Sequence, residues 1–206
     1  IKDYQLPVLA AVVIGIAVGT LTGLVNGILI AYVNMPAFIT TMGTMTILRG
    51  LGYIYTQGYP IYDLPQGFRA IGQGNIGIIP VSAVILVVVA ILAFMILSKT
   101  VFGRHIYAVG GNIEAARMAG IRVKRVQLYV YMISGFISGI AAVVQGARVG
   151  SGLPTIGQGF EMDAIASVVI GGAAMAGGSG TILGTLLGSL ILGGLDNGLS
   201  LLDVDF

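Results

Sequence analysis

The sequence predicts an all-α polytopic membrane protein, a glycine-rich helix bundle with about six spans in residues 1–206. Three observations predict it. The chain is 56% hydrophobic and only 9% charged, where a soluble domain carries about 25% charged residues. Six apolar runs alternate with short polar links. Of the ten Lys and Arg, six fall in one link, 99–125: Lys99, Arg104, Arg117, Arg122, Lys124 and Arg125. With Glu114 its only acid, that link has a formal charge of +5 and the rest of the chain −3.

The first run, 6–33, reaches roughly 42 Å at ~1.5 Å rise per residue, longer than a ~30 Å hydrocarbon core, so it should tilt or protrude. The second, 35–55, begins at Pro36 and is diluted by Thr and Gly. A polar stretch, 56–76, contains Pro60, Pro65 and several glycines. The third run, 77–98, is the most uniformly apolar, with Pro80 placed for a first helical turn. The basic link follows, and then the fourth run, 126–147. A glycine-rich link, 150–160, leads to a short fifth run, 162–176, suited to a partial or broken span; the sixth covers 181–202.

Basic residues in short loops remain on the cytoplasmic side. The link 99–125 is therefore expected inside, with 56–76 and 150–160 outside. Tyr53, Tyr55, Tyr59 and Tyr62 then gather at the outer interface, and Tyr107, Tyr129 and Tyr131 near the inner one, as aromatic belts do. Gly15, Gly19, Gly23 and Gly27 recur every fourth residue, as do Gly135 and Gly139, and Gly180, Gly184 and Gly188. Small residues at that spacing share one helix face and let backbones approach closely.

Several chemistries are excluded. The chain has no cysteine and a single histidine, His105, so thiolate sites, multi-histidine metal sites and a Ser-His-Asp set are not expected; no metal site and no enzyme activity are read here. Gly72-Gln73-Gly74-Asn75-Ile76-Gly77 matches GxGxxG but lacks the preceding strand of a dinucleotide site. Gly177-Gly178-Ser179-Gly180-Thr181 lacks the P-loop lysine. The basic residues serve orientation rather than nucleic acid. The chain starts at Ile1 and closes on a polar run, Asp203-Val204-Asp205-Phe206; it is expected to be the middle of a longer protein.

Within the basic link, Asn112 is a favourable N-cap, and Glu114 in the first turn and Arg117 late suit the helix dipole. Ala115, Ala116 and Ala119 favour helix, and Gly120 is a natural terminator. A helix of about two turns over 112–120, introduced by Gly111, is marginal alone and better suited to a groove in another protein. An interfacial amphipathic helix is the other reading.

Three runs together carry a resemblance. They are Gly103-Arg104-His105-Ile106-Tyr107-Ala108-Val109-Gly110-Gly111-Asn112, continuing Glu114-Ala115-Ala116-Arg117-Met118-Ala119-Gly120-Ile121; Pro36-Ala37-Phe38-Ile39-Thr40-Thr41-Met42-Gly43-Thr44-Met45 with Arg49-Gly50; and Glu161-Met162-Asp163-Ala164-Ile165-Ala166, then Val168-Val169-Ile170-Gly171-Gly172. The chain resembles the permease subunit of monosaccharide ABC importers, the ribose and xylose type, over essentially its whole length. Met162 and Ala37 depart modestly from the family pattern. Such permeases have about ten spans, so the run 1–206 would be one transmembrane permease domain lacking its termini.

The resemblance implies a multi-pass protein of the bacterial inner (plasma) membrane that moves a monosaccharide inward by alternating access. It implies partners: a cytoplasmic ABC ATPase, an external or periplasmic sugar-binding protein, a second permease copy (a homodimer), and the lipid bilayer. No cofactor is expected on this chain; ATP and Mg belong to the ATPase. Gly111, Asn112, Glu114, Ala115, Ala116, Arg117 and Gly120 would form the coupling helix. Asn26, Phe38, Thr41 and Thr44 are candidates for the translocation pathway, since polar groups within a span are costly unless partnered. Interhelical hydrogen bonds or bonds to the residue's own backbone explain the polar members equally. Glu161 and Asp163 would face the binding protein, or simply suit a helix N-terminus. A permease for branched-chain amino acids or another non-sugar substrate shares the architecture. An ion-coupled carrier fits less well, because such carriers keep ionisable groups at mid-membrane, and the first four runs have no central carboxylate.

Overall fold

Prolines start the first three helices and left-handed residues end several. In the computed structural model, which describes residues 7–62 and 64–202, Pro7, Pro36 and Pro65 hold extended ψ angles of 144°, 127° and 145° immediately before α1 (Val8–Ala31), α2 (Ala37–Thr56) and α3 (Gln66–Gln73). A proline's fixed φ and missing N–H suit this boundary, where the amide has no helical acceptor. A minimal hairpin follows, β1 (Asn75–Ile76) and β2 (Ile79–Pro80), and then α4 (Val81–Lys99), α5 (Val101–Gly111), α6 (Ile113–Met118), α7 (Val123–Val149), α8 (Phe160–Ile170) and α9 (Ile182–Leu201). Leu6 and the polar run 203–206 lie outside the described residues.

The described chain is α-helical apart from that hairpin and one isolated bridge, as expected. Four helices, α1, α4, α7 and α9, are long and apolar enough to cross a membrane. The second run forms a 20-residue helix, α2, that is not among those four. The fifth run is shorter than its apolar stretch: α8 has 11 residues, a rise of about 16 Å and roughly half a hydrocarbon core. The GxGxxG run begins at the end of α3 and runs into the hairpin, where Gly77 turns at φ 65°. Pro80 sits just before α4 rather than inside it.

The helices group into two compact units, residues up to 89 with 122–156, and 90–121 with 157 onward. In the first, α1 and α7 run antiparallel with their backbones interlocked. A methyl at Gly19 would stand 2.6 Å from the Gly135 carbonyl oxygen and 2.8 Å from the Gly139 Cα, and one at Gly139 would stand 2.9 Å from the Ile16 Cα. The four-residue glycine stripes of the first and fourth runs are therefore partners. Close approach strengthens dispersion where lipid tails provide no hydrophobic drive between helices. The helix α7 is 27 residues long, about 40 Å, because it takes in Lys124 and Arg125 at its start and Arg148 at its end.

The short helix α3, inside a stretch read from sequence as a polar link, closes that end of the pair. Phe68 and Ile71 pack with Val143 and Ala147 of α7 and with Val8, Val12 and Ile16 of α1. The Gln73 side-chain amide donates to the Arg148 carbonyl at 2.9 Å, satisfying an acceptor at the α7 C-terminus. Ile61 and Gly152 exchange two backbone hydrogen bonds of 2.9 Å each, so the 56–76 stretch is tied to the link after α7.

In the second unit α8 lies on α9. Gly188 comes so close that an added methyl would stand 2.8 Å from the Gly171 amide nitrogen, and Gly171 and Gly184 meet backbone to backbone. Gly184 and Gly188 of the sixth run's stripe thus form the surface of α9 that meets the C-terminal end of α8, while Gly180 precedes α9 and meets Ala173. Thr181 caps α9, its hydroxyl accepting from the Gly184 N–H at 3.0 Å.

Candidate functional site

The site begins with two caps. The expected link 99–125 is mostly helical. Thr100 accepts from the Gly103 N–H at 3.1 Å and starts α5, a helix that sequence reading took as part of the loop. Thr at the cap with Gly three residues later was the available signal. The α5 helix ends at Gly111, and one residue, Asn112, joins it to α6. Its backbone N–H donates to the Ala108 carbonyl at 3.1 Å, and its Oδ1 accepts from the Ala115 N–H at 3.0 Å.

The short α6 is closed at both ends. Gly120 has φ +80°; its N–H donates to the Arg117 carbonyl and the Ile121 N–H to the Ala116 carbonyl, both at 3.0 Å. That paired pattern is the Schellman termination that glycine permits. Glu114 and Arg117 form a 3.0 Å ion pair one turn apart. Ala116 alone on α6 is buried, 3% exposed, while Met118 is 88% exposed. Gly111, Asn112, Glu114, Ala115, Arg117 and Gly120 all face solvent. So do the six basic residues of the link. The result is a short, capped, exposed helix with little side-chain bulk, formed by residues contiguous in sequence.

The pathway candidates are less concentrated. Asn26, on α1, is buried at 9% exposure, and its Oδ1 has no hydrogen-bond partner among the described residues. Thr41 and Thr44, on α2, bond their own helix: Thr41 to the Ala37 carbonyl at 3.0 Å and Thr44 to the Thr41 carbonyl at 3.0 Å. Their hydroxyls therefore need no partner elsewhere. Phe38 is 68% exposed. Glu161 and Asp163 occupy the first turn of α8, where their charge is favoured.

The C-terminal end of α5 reaches the turn between α8 and α9. The Tyr107 hydroxyl donates to the Gly180 carbonyl at 2.7 Å, and Gly110 meets Gly177 and Gly178. Tyr107 was read as a belt tyrosine and the glycine run as an incomplete phosphate loop.

Long apolar helices, some interlocked through glycine, with a short capped helix in the link between α4 and α7, define a polytopic membrane protein. The chain belongs to the family described as branched-chain amino acid transport system / permease component, whose model matches residues 1–205. In keeping with membership of that family, it has four long apolar helices. It is similar to the ribose import permease protein of Haemophilus influenzae, 42% identical over 98% of this chain and 64% of that protein. It is also similar to the ribose import permease protein of Bacillus subtilis, 45% identical over 96% of this chain and 62% of that protein. The galactose/methyl galactoside import permease protein of Haemophilus influenzae is 36% identical over 98% of the chain and 62% of its own length. The chain therefore spans somewhat less than two thirds of these relatives. No solved structure matches it.

Proposed function

We propose that this chain is part of the permease subunit of a monosaccharide ABC importer. The family description names branched-chain amino acids, but the relatives above carry a pentose and a hexose in their names, and that favours a sugar over the amino-acid alternative. A separate ATPase supplies the energy and holds ATP and Mg; a sugar-binding protein delivers substrate; a second permease copy completes the pore. The observation that carries the reading is α6: capped by Asn112, closed at Gly120 and exposed on every residue but Ala116. A six-residue helix is unstable as an isolated peptide; its two caps hold it ready to seat in the ATPase. Movement there shifts the pore between inward and outward openings, to the extent that the ATPase binds the two states with different affinity.

Asn26 is the pathway residue the structure supports best, because its buried Oδ1 accepts from no described group and a sugar hydroxyl would satisfy it. Thr41, Thr44 and Phe38 have weaker support, and Glu161 and Asp163 are proposed on the binding-protein side.

The test is purification of the full-length permease in mild detergent, followed by identification of what accompanies it. We expect a P-loop ATPase that is lost when residues 113–118 are replaced by a Gly-Ser linker. A permease that arrives alone and transports without ATP would overturn the assignment in favour of a secondary carrier.

A further inference from the structure

The end of α5 is locked to the turn between α8 and α9. Tyr107 and Gly180 are 73 residues apart and joined by a 2.7 Å hydrogen bond. One helical turn later, a methyl at Gly110 would stand 2.5 Å from the Gly178 amide nitrogen, and a methyl at Gly178 would stand 2.7 Å from the Gly111 Cα. Gly177 and Gly178 hold φ angles of +92° and +81°, which side chains rarely adopt. Two backbones therefore meet where only glycine fits on either side.

The contact has a mechanical setting. On one side, Asn112 is the only residue between α5 and α6, and both its backbone and its side chain are bonded. That joint has little slack. On the other side, the turn leads directly into the Thr181 cap of α9 and follows the tight Gly171–Gly184 packing of α8. The helix α8 is itself short, at 11 residues.

We propose that Tyr107 and the Gly110–Gly178 contact are positioning residues that pass movement of α6 into the α8–α9 pair. The inference rests on α6 being the ATPase-docking helix. A phenylalanine fills the same apolar space as Tyr107, so the hydroxyl is dispensable for packing; what it adds is a directional tie.

The experiment uses the full-length permease with its ATPase bound, reconstituted in lipid nanodiscs, with a cysteine replacing Met175, a residue of the turn that is 81% exposed. The maleimide modification rate is compared with and without ATP. In the parent protein ATP should change the rate. Tyr107→Phe should reduce that change by about threefold to tenfold, the range expected for one lost hydrogen bond. Gly178→Ala should remove it, and both should retain the ATPase. No ATP-dependent change in the parent, or an unaltered change in both variants, would overturn the inference. Loss of the ATPase from Tyr107→Phe would overturn it too, by making the residue structural. Failure of the underlying reading looks different: the ATPase would then stay bound after the 113–118 replacement.

Discussion

Asn112 carries more than any other single side chain, because it caps one helix while its backbone finishes another. Replacing it with Ala should cost about 1 kcal/mol of local stability. Hydrogen exchange at Ala115 and Ala116 should speed up several-fold, and Asn112→Asp should restore the slow rate. An unchanged exchange rate in Asn112→Ala would mean that packing of Ala116, not the cap, holds α6. Gly120→Val should cost a further ~1–2 kcal/mol, since a β-branched residue must adopt the left-handed conformation, and should reduce recovery of the ATPase. Arg117→Ala should leave the melting temperature within error: its ion pair with Glu114 is exposed, and such pairs contribute about 0–1 kcal/mol. A large loss would show that Arg117 has a partner beyond Glu114.

At the scale of elements, the glycine stripes were legible as stripes but not as pairs. Spacing alone placed Gly15, Gly19, Gly23 and Gly27 on one face; the fold shows that this face meets Gly135 and Gly139. Gly19→Leu or Gly135→Leu should therefore lower the melting temperature of the detergent-purified protein by many degrees, since each collides with backbone on the opposite helix. Gly43→Leu, which has open space around it among the described residues, should be tolerated. Equal sensitivity at Gly43 would indicate that α2 packs against chain beyond these residues. Three elements escaped the sequence altogether: α3, α5 and the β1–β2 hairpin. The α3 helix hides in a stretch rich in proline and glycine, and its apolar residues, Phe68 and Ile71, are too few to signal a helix until α7 is alongside. The α5 helix was absorbed into the basic link because its charges, Arg104 and the nearby Lys99, drew attention to orientation rather than to the Thr100 cap.

For the whole molecule, the proposed orientation, with 99–125 inside, rests on where six exposed bases lie. The chain has no cysteine, so single cysteines report cleanly provided the rest of the protein is also cysteine-free. One replacing Gln66 should react with a membrane-impermeant maleimide on intact cells, and one replacing Lys124 should react only after permeabilisation. The reverse pattern would invert the topology and move α6 to the outside.

The sequence by itself determined that this is a polytopic helical membrane protein, which faces of its helices are small, and where a short capped helix starts and stops. Those properties follow from composition, from four-residue periodicity and from caps, all of which act within a few neighbouring residues. Only the tertiary structure decided that α1 pairs with α7 and α9 with α8, that α3 closes the end of α7, and that Tyr107 and Gly110 reach a turn about seventy residues away. Glycine is the reason. A residue with no side chain shows where a backbone can come close, but nothing in it specifies which backbone will come.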